Sequence, residues 1–126
     1  MLKKIYYHDT DAGGVVYYAN YLKYFEEART EFFKEKNIDI CKLSEQDIVF
    51  AVRRVEVNYK APARYADTLT VSTRISKIKN ASLEFSQSID RAGKILVKAQ
   101  TQMVCVDSNF IPKIIPQGVI QCLKKE

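Results

Sequence analysis

The stretch YANYLKYFEEARTEFFKEK, residues 18–36, decides the architecture, because its apolar residues recur with the period of a helix. Tyr21, Phe25, Ala28 and Phe32 fall at steps of four, three and four, and Leu22 and Tyr24 widen the stripe. Lys23, Glu26, Glu27, Thr30 and Lys34 take the opposite side. This spacing predicts an amphipathic helix of about five turns with one apolar face. Asn20 is a candidate cap at its start, and Asn37 can take the left-handed conformation that ends a helix. The aromatic-rich stripe reads as core packing rather than as a ligand box.

Toward the C-terminus the period changes to two. Val55, Val57 and Tyr59 alternate with Arg54, Glu56 and Asn58. Leu69, Val71, Thr73 and Ile75 alternate with Thr70, Ser72 and Arg74, and Leu83, Phe85 and Gln87 repeat the pattern. The longest run is Ile95, Val97, Ala99, Thr101, Met103 and Cys105. Alternation of this kind predicts four strands with one buried face, as in an antiparallel sheet. Asp90–Gly93 is the hairpin turn between the last two. Lys60–Tyr65, which contains Pro62, interrupts the strand before it, and Pro112 and Pro116 end the final strand and its extension. Residues 117–123 form either a short helix or a last edge strand. Toward the N-terminus, Leu2, Ile5, Tyr6 and Tyr7 predict an opening strand over residues 2–7, followed by the loop HDTDAGGVV at 8–16. One long helix and five strands make a two-layer α+β domain, the helix packed on a curved antiparallel sheet.

The 126 residues predict a single domain over 1–126, and a composition 47% hydrophobic and 28% charged excludes a disordered chain. A core this small and a sheet with open edges both favour an oligomer that pairs sheets edge to edge. Lys and Arg total 20 against 15 Asp and Glu, for a net charge of +5. The basic residues are scattered, which fits a solvated surface or a small polyanion and not a nucleic-acid stripe. Cys41, Cys105 and Cys122 are odd in number and contain no C-x-x-C, so no disulfide framework is expected. No signal-peptide pattern and no apolar run near ~18 residues is visible, so a cytoplasmic domain without a membrane span is expected.

Few chemistries remain. His8 is the lone histidine, and no G-x-S-x-G, G-x-G-x-x-G or P-loop pattern occurs. No His or Cys residues stand at ligand spacing, so neither metal nor cofactor is expected. Asp9-Thr10-Asp11-Ala12-Gly13-Gly14-Val15-Val16-Tyr17-Tyr18 places acidic residues and two glycines just before the helix. Glycines allow close approach of a ligand to backbone, and a helix start offers free N–H groups and a partial positive charge. Those groups can stabilise the oxyanion of a thioester or ester, while a carboxylate opposite attacks the carbonyl or activates water. The plainer alternative is a turn closed by an Asx hydrogen bond. Glu26 and Glu27, near Glu31, Arg29 and Lys34, read as solvent-face charges.

DTDAGGVVYYANYLKYFEEARTEFF, residues 9–33, resembles the signature of hotdog-fold acyl-CoA thioesterases of the 4-hydroxybenzoyl-CoA thioesterase type, most closely the Tol-Pal-associated YbgC-like branch. VNYKAPARYADTLTV, residues 57–71, resembles that family's passage from second to third strand. The resemblance implies a hotdog fold, acyl-CoA as substrate, and a homodimer or homotetramer with its active site at the subunit interface. It implies that Asp11 is the catalytic carboxylate, as nucleophile or general base. It implies that the backbone N–H of Tyr18 polarises the thioester carbonyl beside Gly14 and Val16. Phe50, Ala51 and Val52 match a segment lining the acyl pocket, and Lys79 and Asn80 match positions near the CoA phosphates, where Lys79 keeps the charge. Tyr18 departs from the His usual in the YbgC-like branch, which touches substrate preference more than reaction class. The expected activity is hydrolysis of a short-chain or aromatic acyl-CoA. The alternative is a non-catalytic hotdog module that binds acyl-CoA or a protein.

Overall fold

The computed structural model describes residues 1–125. The long helix, α1, is Asn20–Glu35, and the five strands are β1 (Leu2–Lys4), β2 (Val49–Tyr59), β3 (Thr68–Ile78), β4 (Ser82–Arg91) and β5 (Lys94–Val106). Two shorter helices, α2 (Ile40–Glu45) and α3 (Gln117–Lys124), complete the described elements. The strands form one antiparallel sheet in the order β1-β3-β4-β5-β2.

The expected two layers are present. Tyr21, Tyr24, Phe25 and Ala28 of α1 pack on Leu69 and Val71 of β3, Ile89 of β4 and Val97 and Ala99 of β5. Phe33 continues into a second cluster with Leu83, Phe85, Met103 and Cys105, closed by Val119 and Leu123 of α3. The segment at 117–123 is therefore a helix. Pro116 precedes its first turn, and burial of Val119 and Leu123 one turn apart gives it an inward face.

Several local expectations are corrected. The opening strand stops at Lys4, because the chain turns into a 3-10 turn at Tyr7–Asp9 once Asp9 accepts the Tyr6 N–H. Asn20 does not cap α1: Ala19 holds the cap position without a side-chain bond, and the Asn20 amide instead donates to the Asp9 carbonyl. Asn37 does end the helix region left-handed, at φ 61°. In the stripe, Phe33 is buried and Phe32 half-buried, while Leu22 is exposed. Arg29 is not a surface partner of the glutamates; it is buried and donates to Gln87, whose amide donates to the Phe25 carbonyl and to Thr73. Helix α2 carries no long apolar stripe, but Asp39 caps it by accepting the N–H groups of Cys41 and Lys42. On β5, Leu96 is an extra residue between the pairs Ile89–Val97 and Asp90–Ile95, so Leu96 is buried and Ile95 exposed.

The two sheet edges differ. β1 is a three-residue edge, whereas β2 presents eleven residues. β2 pairs with β5 on one side, is bulged at Arg53, and leaves Val52 48% and Val55 40% exposed. Phe50 and Val57 pack on the core, while Val52 and Val55 have no cover among the described residues.

Candidate active site

The loop before α1 is a small hairpin. Asp11 N–H donates to the Val15 carbonyl, Thr10 bridges Val16, and Tyr17 N–H donates to the Asp9 carbonyl. Gly14 N–H closes the turn on the Asp11 carbonyl, with Gly14 at φ 77°, a conformation glycine adopts without strain. Gly13 N–H donates to Asp11 Oδ1 at 2.8 Å, and a Cβ on Gly13 would sit 3.2 Å from that oxygen. The Asx turn named as the plainer reading is thus present, and it orients the Asp11 carboxylate. Asp11 is exposed, and its Oδ2 has no hydrogen-bond partner among the described residues.

The hairpin is seated by its neighbours. Val16 N–H donates to the Ala63 carbonyl, Val15 bridges Arg64, and the Tyr21 hydroxyl accepts the Ala63 N–H. Arg64 N–H and the Arg91 guanidinium both donate to Asp67. Burial pushes the Asp67 carboxyl up, but the Arg64 and Arg91 bonds and charges outweigh it and hold the carboxyl below its ordinary value.

Tyr18 lies one residue beyond the ladder, at the start of the helix. Its backbone N–H has no acceptor among the described residues. α1 begins without a side-chain cap and without an acidic residue in its first turn, so its N-terminal partial charge is unneutralised. The Tyr18 ring is exposed and edge-on to Tyr59, whose hydroxyl lies 3.4 Å from the Tyr18 carbonyl oxygen. Asp11 and Tyr18 are thus on one short hairpin at the N-terminal end of α1, with Gly14 and Val16 between them. Asp11 sits opposite Val15 and Tyr17 opposite Asp9, so the two site residues flank the same short ladder.

Phe50, Ala51 and Val52 are at the other end of β2, opposite Cys105, Val104 and Met103. Phe50 stacks on Phe33 of α1, with ring centroids 5.7 Å apart. Lys79 and Asn80 are exposed in the β3–β4 turn, where Lys79 N–H donates to Ser82 and the Asn80 carbonyl accepts from Ile115. From Phe50 to Tyr59 the strand runs roughly 30 Å. The predicted residues therefore form two groups at opposite ends of the protomer. A broad concavity of about 770 Å³ lies apart from both, across the sheet near Arg74, Ser86 and Gln100.

Asp9 received no role from its sequence pattern, yet it is the most engaged residue of the loop. Its side chain accepts from Tyr6 N–H at 2.9 Å and from the Tyr24 hydroxyl at 2.8 Å. Burial pushes the Asp9 carboxyl up; the bonds from Tyr6 and Tyr24, with the charges of His8 and Lys3, outweigh this and leave it below its ordinary value. The Tyr24 hydroxyl is pushed far up by burial and by donating to Asp9. His8 is exposed and 3.8 Å from Asp9. Other nucleophiles are poorly placed: Cys105 is buried, and burial raises its thiol. Among the described residues no group of three or more His, Cys, Asp or Glu could hold a metal ion.

Asp11, with one oxygen free of hydrogen bonds among the described residues, and the unpaired N–H of Tyr18 thus flank one short hairpin just before α1. Residues 6–120 match the model of the thioesterase-like superfamily. The chain belongs to the thioesterase-like superfamily. It is 42% identical over 118 residues to an acyl-CoA thioesterase YbgC of Haemophilus influenzae, covering 92% of this chain and 87% of that one. It is 38% identical over 124 residues to an acyl-CoA thioester hydrolase YbgC of Escherichia coli, covering 97% and 92%. The crystal structure of a probable thioesterase from Bartonella henselae superposes with a TM-score of 0.88 at 32% identity, covering 92% and 97%. The sheet curved on α1 is thus the hotdog fold of this thioesterase-like family. Among the described residues no helix is long and apolar enough to cross a membrane.

Proposed function

We propose that this protein hydrolyses the thioester bond of acyl-CoA, with short-chain or aromatic acyl groups as substrates. The observation that carries this reading is the juxtaposition on one hairpin of Asp11, with an uncommitted oxygen, and the unpaired N–H of Tyr18. The relatives named acyl-CoA thioesterases support the choice of thioester over other acyl bonds. In the reaction, the Tyr18 N–H and the start of α1 stabilise the negative charge that develops on the carbonyl oxygen. Asp11 either attacks the carbonyl carbon, giving a mixed anhydride that water then opens, or takes a proton from the attacking water. Either course releases CoA thiol and a free acid. The donor at position 18 is the backbone N–H, which tyrosine keeps, so the change from histidine bears on substrate preference and rate rather than on reaction class.

The remaining residues join the site across a subunit boundary. β2 is a long edge with exposed Val52 and Val55. Antiparallel pairing of β2 with its copy brings the Phe50 end of one protomer beside the Tyr59 end of its partner. Phe50, Ala51 and Val52 then line the acyl pocket together with Gly14 and Val16, while Lys79 and Asn80 reach the CoA phosphates. A homodimer, or a tetramer built from two of them, is the functional unit, and it works in the cytoplasm.

The test is a panel of acyl-CoA thioesters from short aliphatic to aromatic, with free CoA followed by a thiol reagent. Turnover of at least one class is expected. Saturable acyl-CoA binding without thiol release across the panel would instead establish a non-catalytic module.

A further inference from the structure

We infer that the buried pair Asp9–Tyr24 is a positioning device for the active-site hairpin, locking Asp11 and the Tyr18 N–H to the body of α1. The inference rests on the thioesterase reading of Asp11 and Tyr18 and extends it to two residues outside that reading. Asp9 is buried, and both carboxylate oxygens are engaged, Oδ2 by Tyr6 N–H and Oδ1 by the Tyr24 hydroxyl. Its backbone carbonyl accepts twice more, from Tyr17 N–H at 3.0 Å and from the Asn20 amide at 2.9 Å. Asp9 N–H donates to the Tyr6 carbonyl. One residue therefore joins the 3-10 turn, both sides of the hairpin and the first two turns of the helix.

The consequence for the chemistry follows from chain connectivity. Asp11 is two residues from Asp9 on one side of the ladder, and Tyr18 follows Tyr17 directly on the other. Neither Asp11 nor Tyr18 is buried, so neither is held by its own packing. Their separation and direction are set by the ladder and by its attachment to α1, and the Tyr24 hydroxyl is the buried side-chain bond that joins the ladder directly to the helix. Tyr24 is fixed in turn: its ring is buried edge-on against Tyr21, and the Lys3 ammonium lies over it at 5.1 Å. A rigid aromatic rod from the core thus ends on the carboxylate beside the reacting groups. Sites whose first residues are exposed depend on such supporting bonds to hold geometry.

The test compares Tyr24→Phe, Asp9→Asn and the double variant with the unaltered protein in steady-state hydrolysis of the best acyl-CoA of the panel. Tyr24→Phe removes one hydroxyl and keeps the ring, so the core is retained even where Asp9→Asn folds poorly. A device that aligns reacting groups acts on the chemical step, and each variant is expected to lose roughly 10–100-fold in kcat with KM within about twofold. Because both variants cut the same bond, the double variant should lose little more than Asp9→Asn alone. Assays are run well below the melting temperature of each variant, so a loss of folded protein is separated from a loss of rate. Tyr24→Phe with unchanged kcat, or with its whole effect in KM or in folded fraction, overturns the inference. Asp11→Asn is the control: if Asp11→Asn keeps full activity, the thioesterase reading of Asp11 fails, whereas an inactive Asp11→Asn beside a fully active Tyr24→Phe sinks the positioning role alone.

Discussion

The two ends of strand β2 make opposite demands on the chain. At the Tyr59 end the backbone is tightly netted: hairpin, 60–67 loop and helix start share hydrogen bonds through Asp9, Ala63, Tyr21 and Asp67. At the Phe50 end the residues are apolar and half-buried or exposed, held by ring stacking on Phe33. One end has the Asp11 carboxylate and the unpaired Tyr18 N–H; the other has apolar wall, and its carboxylates Asp47 and Asp107 already accept backbone N–H groups. About 30 Å of strand keeps the two ends apart within a protomer. The proposed pairing of β2 with its own copy would turn that distance from an obstacle into the means of assembly.

The comparison can be broken at either end or in the middle. The largest effect is expected at the polar end: Asp11→Asn should lower CoA release by about 10³-fold or more, on the scale of removing a nucleophile or base, without changing the melting temperature by more than a few degrees. Next comes the middle of the strand. Val55→Arg adds a cation beside Arg53 and Arg54 on an edge that would meet its own copy, where like charges repel. Size-exclusion chromatography should show a monomer, and activity should fall together with the dimer, by about 100-fold if orientation across the interface is lost. A monomer with full activity would show that the two ends need not meet.

Smaller effects sharpen the assignment. Lys79→Ala should raise KM for acyl-CoA about 3–10-fold with kcat nearly unchanged, as for an exposed charge that meets a phosphate. Tyr18→Phe should alter kcat by less than about threefold, because the donor is the backbone N–H. Carboxyls at the netted end should also contribute to the acid limit of stability, beside Asp47 near the Phe50 end, which the Ser108 hydrogen bonds hold below its ordinary value. Asp9 and Asp67 both titrate below their ordinary value in the folded protein. A depressed carboxyl stabilises the fold above the unfolded-state value near 4 and loses that contribution as pH falls through its folded value. Urea midpoints should therefore drop as pH falls below about 4, and Asp67→Asn should flatten that drop. A midpoint independent of pH in that range would contradict the assignment.

Much of this contrast was legible in the residue pattern, and the exceptions have physical causes. The stripe of Tyr21, Phe25 and Ala28 and the alternation of Leu69–Val71 and Val97–Met103 are periodic signals, and the structure follows them. Ile95 departs from its alternation because one bulged residue reverses inward and outward, and a local pattern does not register an insertion against a distant partner strand. Val55 and Val57 alternate as a half-buried strand should, but only Val57 packs on the core, and Val55 stays exposed. Asp9 and Asp11 differ in role although D-x-D treats them alike. In an extended strand both would share a face; here the 3-10 turn sends Asp9 into the core and leaves Asp11 exposed. Tyr24 was visible as part of the stripe, but its hydroxyl bond joins groups 15 residues apart and required coordinates.

Subunit complementation tests the two-ended site most directly. Asp11→Asn disables the polar end, and Val52→Trp fills the apolar end, so each homodimer should be inactive. When the two variants are unfolded together in equal amounts and refolded, half of the dimers are mixed, and each mixed dimer carries one site free of both changes. CoA release should then return to about a quarter of the unaltered rate. A mixture as inactive as its parents would place Asp11 and Val52 on the same protomer's site and contradict assembly across β2.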